Sequence, residues 1–252
     1  MRLSYAMTET DFPRQRTLPL QPFRKLAASL AVVLLAASPV HAQEALFDTK
    51  AKQALMLEDQ TGTILYAKTP DTLIEPAALA KLMTMELVFH ALKTGQIKID
   101  TQYTVSENAW RTGGAPSGGS TMFAKLKSSI SVGDLIQGVI VQSANDGCII
   151  LAEGIAGSEQ KFAEMMNARA KEIGLKNSTF RNSTGLPDPE QKVSLTDLVT
   201  LARYIKHEYP EYYRTYAQES FTWNNIFQRN RNPLLKLDIG FLSPRSEEHT
   251  SD

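Results

Sequence analysis

Two periods of hydrophobicity run through the middle of the chain, one of two residues and one near 3.6, and they divide it into strands and helices. From Gln53 to Lys68, Ala54 and Met56, then Ile64 and Tyr66, alternate with their neighbours on either side of Asp59-Gln60-Thr61-Gly62. Alternation across a turn whose glycine can supply a positive φ predicts a β-hairpin that starts a sheet. After Pro76, Leu82, Met85, Phe89 and Leu92 recur at helical spacing, while Met83, Leu87, Val88 and Ala91 fill the other faces. A helix over about 78–93 that is apolar nearly all round has to be buried, and Gly95 ends it.

Ser131 and Asp134 have capping-box form and open a helix through Leu135, Ile136, Val139 and Ile140 that breaks near Ser143-Ala144-Asn145-Asp146. Two more helices are predicted. Ser158 caps one containing Phe162, Met165, Met166 and Ile173, stopped by Gly174, and Ser194 with Asp197 caps another containing Leu198, Leu201, Ala202 and Ile205. Between them Gly185-Leu186-Pro187-Asp188-Pro189 reads as a loop. The glycine-rich stretch 113–120 lacks the spacing of a phosphate cradle and reads as surface or cleft rim. Strand-like stretches follow at about 220–223 and 234–239. Strands, then helices, then strands predict an α+β domain without internal repeats.

Both ends differ from this middle. Arg24 and Lys25 precede an uncharged run from Leu26 to Ser38, followed by Pro39, Val40, His41 and Ala42. The run rises only about 20 Å against a hydrocarbon core of about 30 Å, so residues 1–42 are expected to be a leader and signal peptide rather than a transmembrane helix. The protein is accordingly expected to be exported, to the periplasm or cell envelope. At the other end, 241–252 shows no period, and Arg245-Ser246-Glu247-Glu248-His249-Thr250-Ser251 resembles the translation of a sequencing adapter. That stretch is expected to be a non-native tail on a truncated domain, leaving 43–240 as the informative part.

Composition removes several functions. With 27 basic and 27 acidic side chains the formal charge is zero, which gives no electrostatic footprint for nucleic acid. Cys148 is the sole cysteine and the four histidines are scattered, so neither a disulfide nor a metal site is expected, and no cofactor is implied.

Three pieces form a constellation: Pro76-Ala77-Ala78-Leu79-Ala80-Lys81 at the start of the buried helix, Ser143-Ala144-Asn145 just after another, and the Gly185–Asp188 loop. Together they resemble the D-alanyl-D-alanine carboxypeptidases, the low-molecular-mass penicillin-binding proteins, whose pattern is Ser-x-x-Lys, Ser-x-Asn and Lys-Thr-Gly on three walls of one cleft. The resemblance extends through 105–113, 138–146, 231–235 and 239–240. It implies a β-lactamase/transpeptidase-like fold, a helical cluster packed on an antiparallel sheet and here incomplete at its C-terminus. It also implies a substrate, the peptidoglycan stem peptide ending in D-Ala-D-Ala, and β-lactams as inhibitors. In the family a serine attacks the carbonyl between the two D-alanines, forms an acyl-enzyme, and water releases it.

Residues three apart on a helix share a face, so a lysine can take the proton of a serine one turn earlier, provided that burial and nearby cations keep its amine neutral. Here the pattern breaks: position 78, the nucleophile's place, is alanine. By the resemblance Lys81 is the general base, Ser143 the proton shuttle to the leaving group and Asn145 a donor to the substrate amide. The equivalent of Lys-Thr-Gly falls where the tail begins, so that wall is expected to be absent, as is the amphipathic membrane anchor that family members often carry.

Two look-alikes carry the same letters without the context. Ser158 and Lys161 are better explained by helix capping, and Lys93-Thr94-Gly95 by the end of the buried helix. Three functions compete: a carboxypeptidase inactive as written, a non-catalytic binder of stem peptides or of a partner protein, and a β-lactamase. The last would need an acidic residue to activate water, for which Glu190 is the candidate in 182–192.

Overall fold

A computed structural model describes residues 49–236 of the chain; the expected leader, signal peptide and tail lie outside the described residues. Strands β1 (Ala54–Leu57) and β2 (Ile64–Lys68) pair antiparallel with Met56 opposite Tyr66, and a bulge follows Met56. At the turn the Glu58 carboxylate accepts from the amides of Gln60 and Thr61, and Gly62 takes a φ of 75°. The hairpin therefore forms as predicted, but it does not start a larger sheet: among the described residues β1 and β2 stand as a two-stranded unit.

A 3₁₀ turn, Ala77–Ala80, leads into α1 (Lys81–Lys93), of which Met83, Val88 and Phe89 are wholly buried. Burial on all faces is what the uninterrupted apolar sequence demands. Two short strands that the sequence did not reveal, β3 (Gln102–Thr104) and β4 (Ser129–Ser131), pair antiparallel. Three residues are too few to show a period of two. Helix α2 (Val132–Gln142) opens on the predicted Ser131 cap, whose hydroxyl accepts from the Asp134 amide.

The break at Ser143 is real, but it is a single left-handed residue (φ 56°, ψ 37°), after which α3 (Asn145–Ala156) starts at once. The sequence reading missed α3. It lacks a side-chain cap, and Cys148 to Ala152 are buried on every face, so no amphipathic period marks it. Helix α4 (Glu159–Ile173) is capped by Ser158 and stopped by Gly174 at φ 92°, and α5 (Leu195–Glu208) is capped by Ser194, all as predicted.

A one-turn helix, α6 (Pro210–Tyr213), precedes β5 (Ser220–Trp223) and β6 (Ile226–Arg229). These pair across Asn224 and Asn225, both at positive φ, a two-residue hairpin turn that asparagine tolerates. The strand expected at 234–239 is not found over its described part: Pro233–Lys236 is a 3₁₀ turn, started where the Asn232 carboxamide accepts from the Leu234 amide. Proline cannot donate to a ladder, which favours the turn. The result is the expected α+β class, with the helices gathered around α1 and α3 and, among the described residues, three two-stranded antiparallel sheets. No described helix is long and apolar enough to cross a membrane.

Candidate active site

The turn that carries position 78 begins with a strained residue. Ala77 holds a φ of 46°, a region that side-chain-bearing residues enter only when their surroundings require it. The requirement is visible in the loop facing it: Gly185, at φ 79°, packs so tightly on the Ala77 carbonyl that a β-carbon at 185 would overlap it. The predicted loop 185–188 therefore forms a wall against the backbone of the turn. Together with Glu75, Pro76 and Gln191 they enclose a small cavity of about 130 Å³ on that side.

Ala78, Lys81 and Ser143 line one cavity of about 190 Å³, together with apolar side chains of α1 and α2 and Tyr216. Two of its neighbours are strained, Ala77 before it and Ser143 within it, and such clustering is common where a site over-determines its backbone. Lys81 is only 8% exposed. Its Nζ donates to the Thr184 carbonyl at 2.6 Å. Burial pulls this amine below the usual lysine range; the Arg231 guanidinium adds to the effect, and the Cys148 thiol opposes it. Cys148 is itself pushed up to about 12 by burial, so it stays a thiol at neutral pH.

Asn145 does not line this cavity. It is the buried first residue of α3, its amide donates to the Ser120 carbonyl at 2.8 Å, and its side-chain nitrogen lies against Gly119. The glycine-rich stretch predicted as a cleft rim is thus the cover over Asn145. A π-helical turn at Ala109–Gly113 leads into it, it contains a 3₁₀ turn at Ala115–Ser117, and Gly113 is tight against the Asp146 backbone. Asp146 organises the next stretch: its buried carboxylate accepts from the Thr121 hydroxyl and from the amides of Met122 and Ala124.

The look-alikes lie elsewhere. Ser158 accepts from the Lys161 amide as an N-cap. Lys93 pairs with Glu208 at 2.5 Å at the exposed end of α1. Glu190 is exposed and pairs with Arg181 at 2.9 Å. A cavity of about 460 Å³ lined by β5, β6 and residues 230–236 contains none of the predicted site residues.

Three contributors escaped the sequence reading: the Thr184 carbonyl, the carboxamide of Asn182 behind it, and Tyr216. A backbone carbonyl has no sequence signature, and an asparagine three residues before a glycine announces a turn without saying what the turn holds.

The chain matches the family model for D-alanyl-D-alanine carboxypeptidase over residues 38–240. It is 39% identical to the D-alanyl-D-alanine carboxypeptidase DacC of Escherichia coli over 216 residues, 84% of this chain and 54% of that protein. It is 42% identical to DacD of the same organism over 72% of this chain and 47% of the relative. Among solved structures, penicillin binding protein 5 from Haemophilus influenzae aligns with a TM-score of 0.73 at 39% identity, over 75% of this chain and 55% of that one. Penicillin binding protein 6B from Escherichia coli aligns at 0.70, also at 39% identity, over 77% and 62%. The fold and these matches place the chain among the penicillin-binding, transpeptidase-like proteins. It belongs to the D-alanyl-D-alanine carboxypeptidase family, and it spans about half the length of the curated relatives it matches.

Proposed function

We propose that the cleft around Lys81 and Ser143 recognises the D-Ala-D-Ala end of peptidoglycan stem peptides outside the cytoplasmic membrane, and that its covalent step is blocked at position 78. One observation carries the reading: Ala78, Lys81 and Ser143 share a cavity in which the lysine is buried and its amine held to a carbonyl. A serine at 78 would place its hydroxyl in that cavity beside an amine biased toward the neutral form. The amine would take the proton as Oγ attacked the substrate carbonyl, and Ser143 would pass a proton to the departing D-alanine nitrogen. By the family resemblance Asn145, which starts α3 outside this cavity, is assigned to the substrate amide. The methyl group of Ala78 has no proton to lose and no lone pair to donate, so neither a substrate nor a β-lactam can form an ester with it.

The test pairs covalent and reversible binding. The purified chain is expected to leave a D-Ala-D-Ala peptide intact and to remain unlabelled by a fluorescent penicillin, yet to bind the peptide reversibly in a calorimeter. Covalent labelling at any residue would overturn the block, and absence of peptide binding would overturn the recognition. The second reading, a relative that binds without turnover, rests on the same alanine. An independent read of the gene through codon 78 separates it from an enzyme whose serine was lost.

A further inference from the structure

We propose that Asn182 is the positioning residue for Lys81: its single carboxamide fixes the turn whose one inward carbonyl receives the lysine amine. The inference rests on the assignment of Lys81 to the cleft chemistry. Asn182 Oδ1 accepts from the Thr184 amide (3.2 Å), the Thr184 hydroxyl (3.0 Å) and the Gly185 amide (2.7 Å), while its Nδ2 donates to the Leu186 carbonyl (3.0 Å). Four hydrogen bonds from one side chain leave the 184–186 backbone little freedom. The carbonyl so oriented, that of Thr184, accepts from Lys81 Nζ at 2.6 Å. The same turn carries Gly185 against the Ala77 carbonyl. Asn182 therefore sets the spacing between Lys81 and the backbone of position 78 without touching either.

The elements around the amine are held by other groups. Thr84, one turn along α1, donates to the Ser183 carbonyl at 2.6 Å, and Ser183 donates to Glu159 at 2.7 Å, so the segment before the turn is tied to α1 and α4. Gln191 holds the far side of the loop: its Oε1 accepts from the amides of Arg181 and Asn182, and its Nε2 donates to the Leu186 carbonyl. One of those bonds shares the Leu186 carbonyl with Asn182, but none reaches residues 184 or 185, so Gln191 is the control for loop stability apart from the Thr184–Gly185 backbone. The titratable and charged groups that bear on Lys81 are Cys148 from α3 and Arg231 from the segment after β6. Tyr216 shares its cavity, and Glu159 of α4 lies behind Ser183.

Releasing the turn exchanges a fixed carbonyl for water. Water accepts as well as the carbonyl did, and it restores the hydration whose loss disfavours the ammonium ion. The amine should then titrate closer to an ordinary lysine.

The experiment follows the Lys81 Cε resonance with pH in the 13C-lysine-labelled chain, assigned by Lys81→Met, for the parent, Asn182→Ala and Gln191→Ala. No substrate is involved, so failure of the recognition reading would leave this measurement intact. Asn182→Ala is expected to raise the titration midpoint by about one pH unit. Gln191→Ala is expected to lower the melting temperature comparably while leaving the midpoint in place. An unmoved or lowered midpoint in Asn182→Ala overturns the proposal, as does an equal movement in both variants, which would make the effect one of loop stability alone. Should Asn182→Ala fail to fold, Thr184→Ala serves: it removes the hydroxyl bond to Asn182 and the bond that hydroxyl accepts from the Leu186 amide, keeps both amide bonds to Asn182, and is expected to move the midpoint in the same direction by a smaller amount, an unmoved midpoint counting against the proposal.

Discussion

Gly185 and the carbonyl of Ala77 are in closer contact than any side-chain-bearing residue at 185 would permit. The glycine also sits at φ 79°, so two independent constraints exclude a β-carbon there. Gly185→Ala should destabilise the chain by about 2 kcal/mol or more, read from urea unfolding, since both a strained φ and a backbone overlap have to be relieved. The lost contact should also enlarge the distance between Thr184 and Lys81. An alanine variant as stable as the parent would show that the wall is not packed as described.

The buried amine of Lys81 makes stability depend on pH in a direction that can be worked out. Its folded pKa lies below the unfolded value of about 10.4. Between those two values the unfolded chain binds the proton and the folded chain does not, so stability rises with pH through that window. Below the depressed pKa both states are charged and the folded state bears the full desolvation cost. Stability measured against pH should therefore climb more steeply on the alkaline side in the parent than in Lys81→Met. Parallel curves would refute the depressed pKa.

Glu86 of α1 is wholly buried and meets Arg169 of α4 at 2.9 Å and the Tyr209 hydroxyl at 3.0 Å, while its Oε2 has no hydrogen-bond partner among the described residues. Burial pushes its carboxyl above the usual range, and Arg169 pulls it back. Arg169→Ala leaves a buried carboxylate without its cation, at a cost of about 3 kcal/mol near neutral pH. The folded pKa of Glu86 then rises further above the unfolded one, so the folded state binds the extra proton and the deficit should shrink as the pH is lowered toward 4. A deficit independent of pH would place the loss in packing instead.

The carboxylate of Asp146 holds three groups of the segment 121–124, including both neighbours of Phe123, which sits at φ 62°. Asp146→Ala leaves those donors buried and unpaired, and a loss of about 3 kcal/mol is expected. Because Ser120 receives the Asn145 amide, hydrogen exchange should accelerate at Asn145 as well as at Met122 and Ala124. Exchange faster at 122 and 124 alone would separate the segment from the site.

Much of this protein follows from local chemistry. Ser131, Ser158 and Ser194 each accept the amide that helix capping assigns to them, because a hydroxyl three residues before a free N–H satisfies it in any context. The buried character of α1 was legible because no face of it is polar, and the placing of Lys81 and Ser143 was legible because the family's spacing survives. Other features depended on tertiary contact. Helix α3 starts where the Ser120 carbonyl, distant in sequence, takes the Asn145 amide, and its all-apolar body has no period to read. The strand expected after Leu234 yields to a 3₁₀ turn where Asn232 caps it behind a proline. Lys81 itself is marked in the sequence, yet its burial, which lowers the amine's pKa, and its bond to the Thr184 carbonyl, about a hundred residues away, arise only once the loop has folded onto α1. Local sequence determines which backbone conformations are inexpensive, whereas the hydration of an amine depends on everything packed around it.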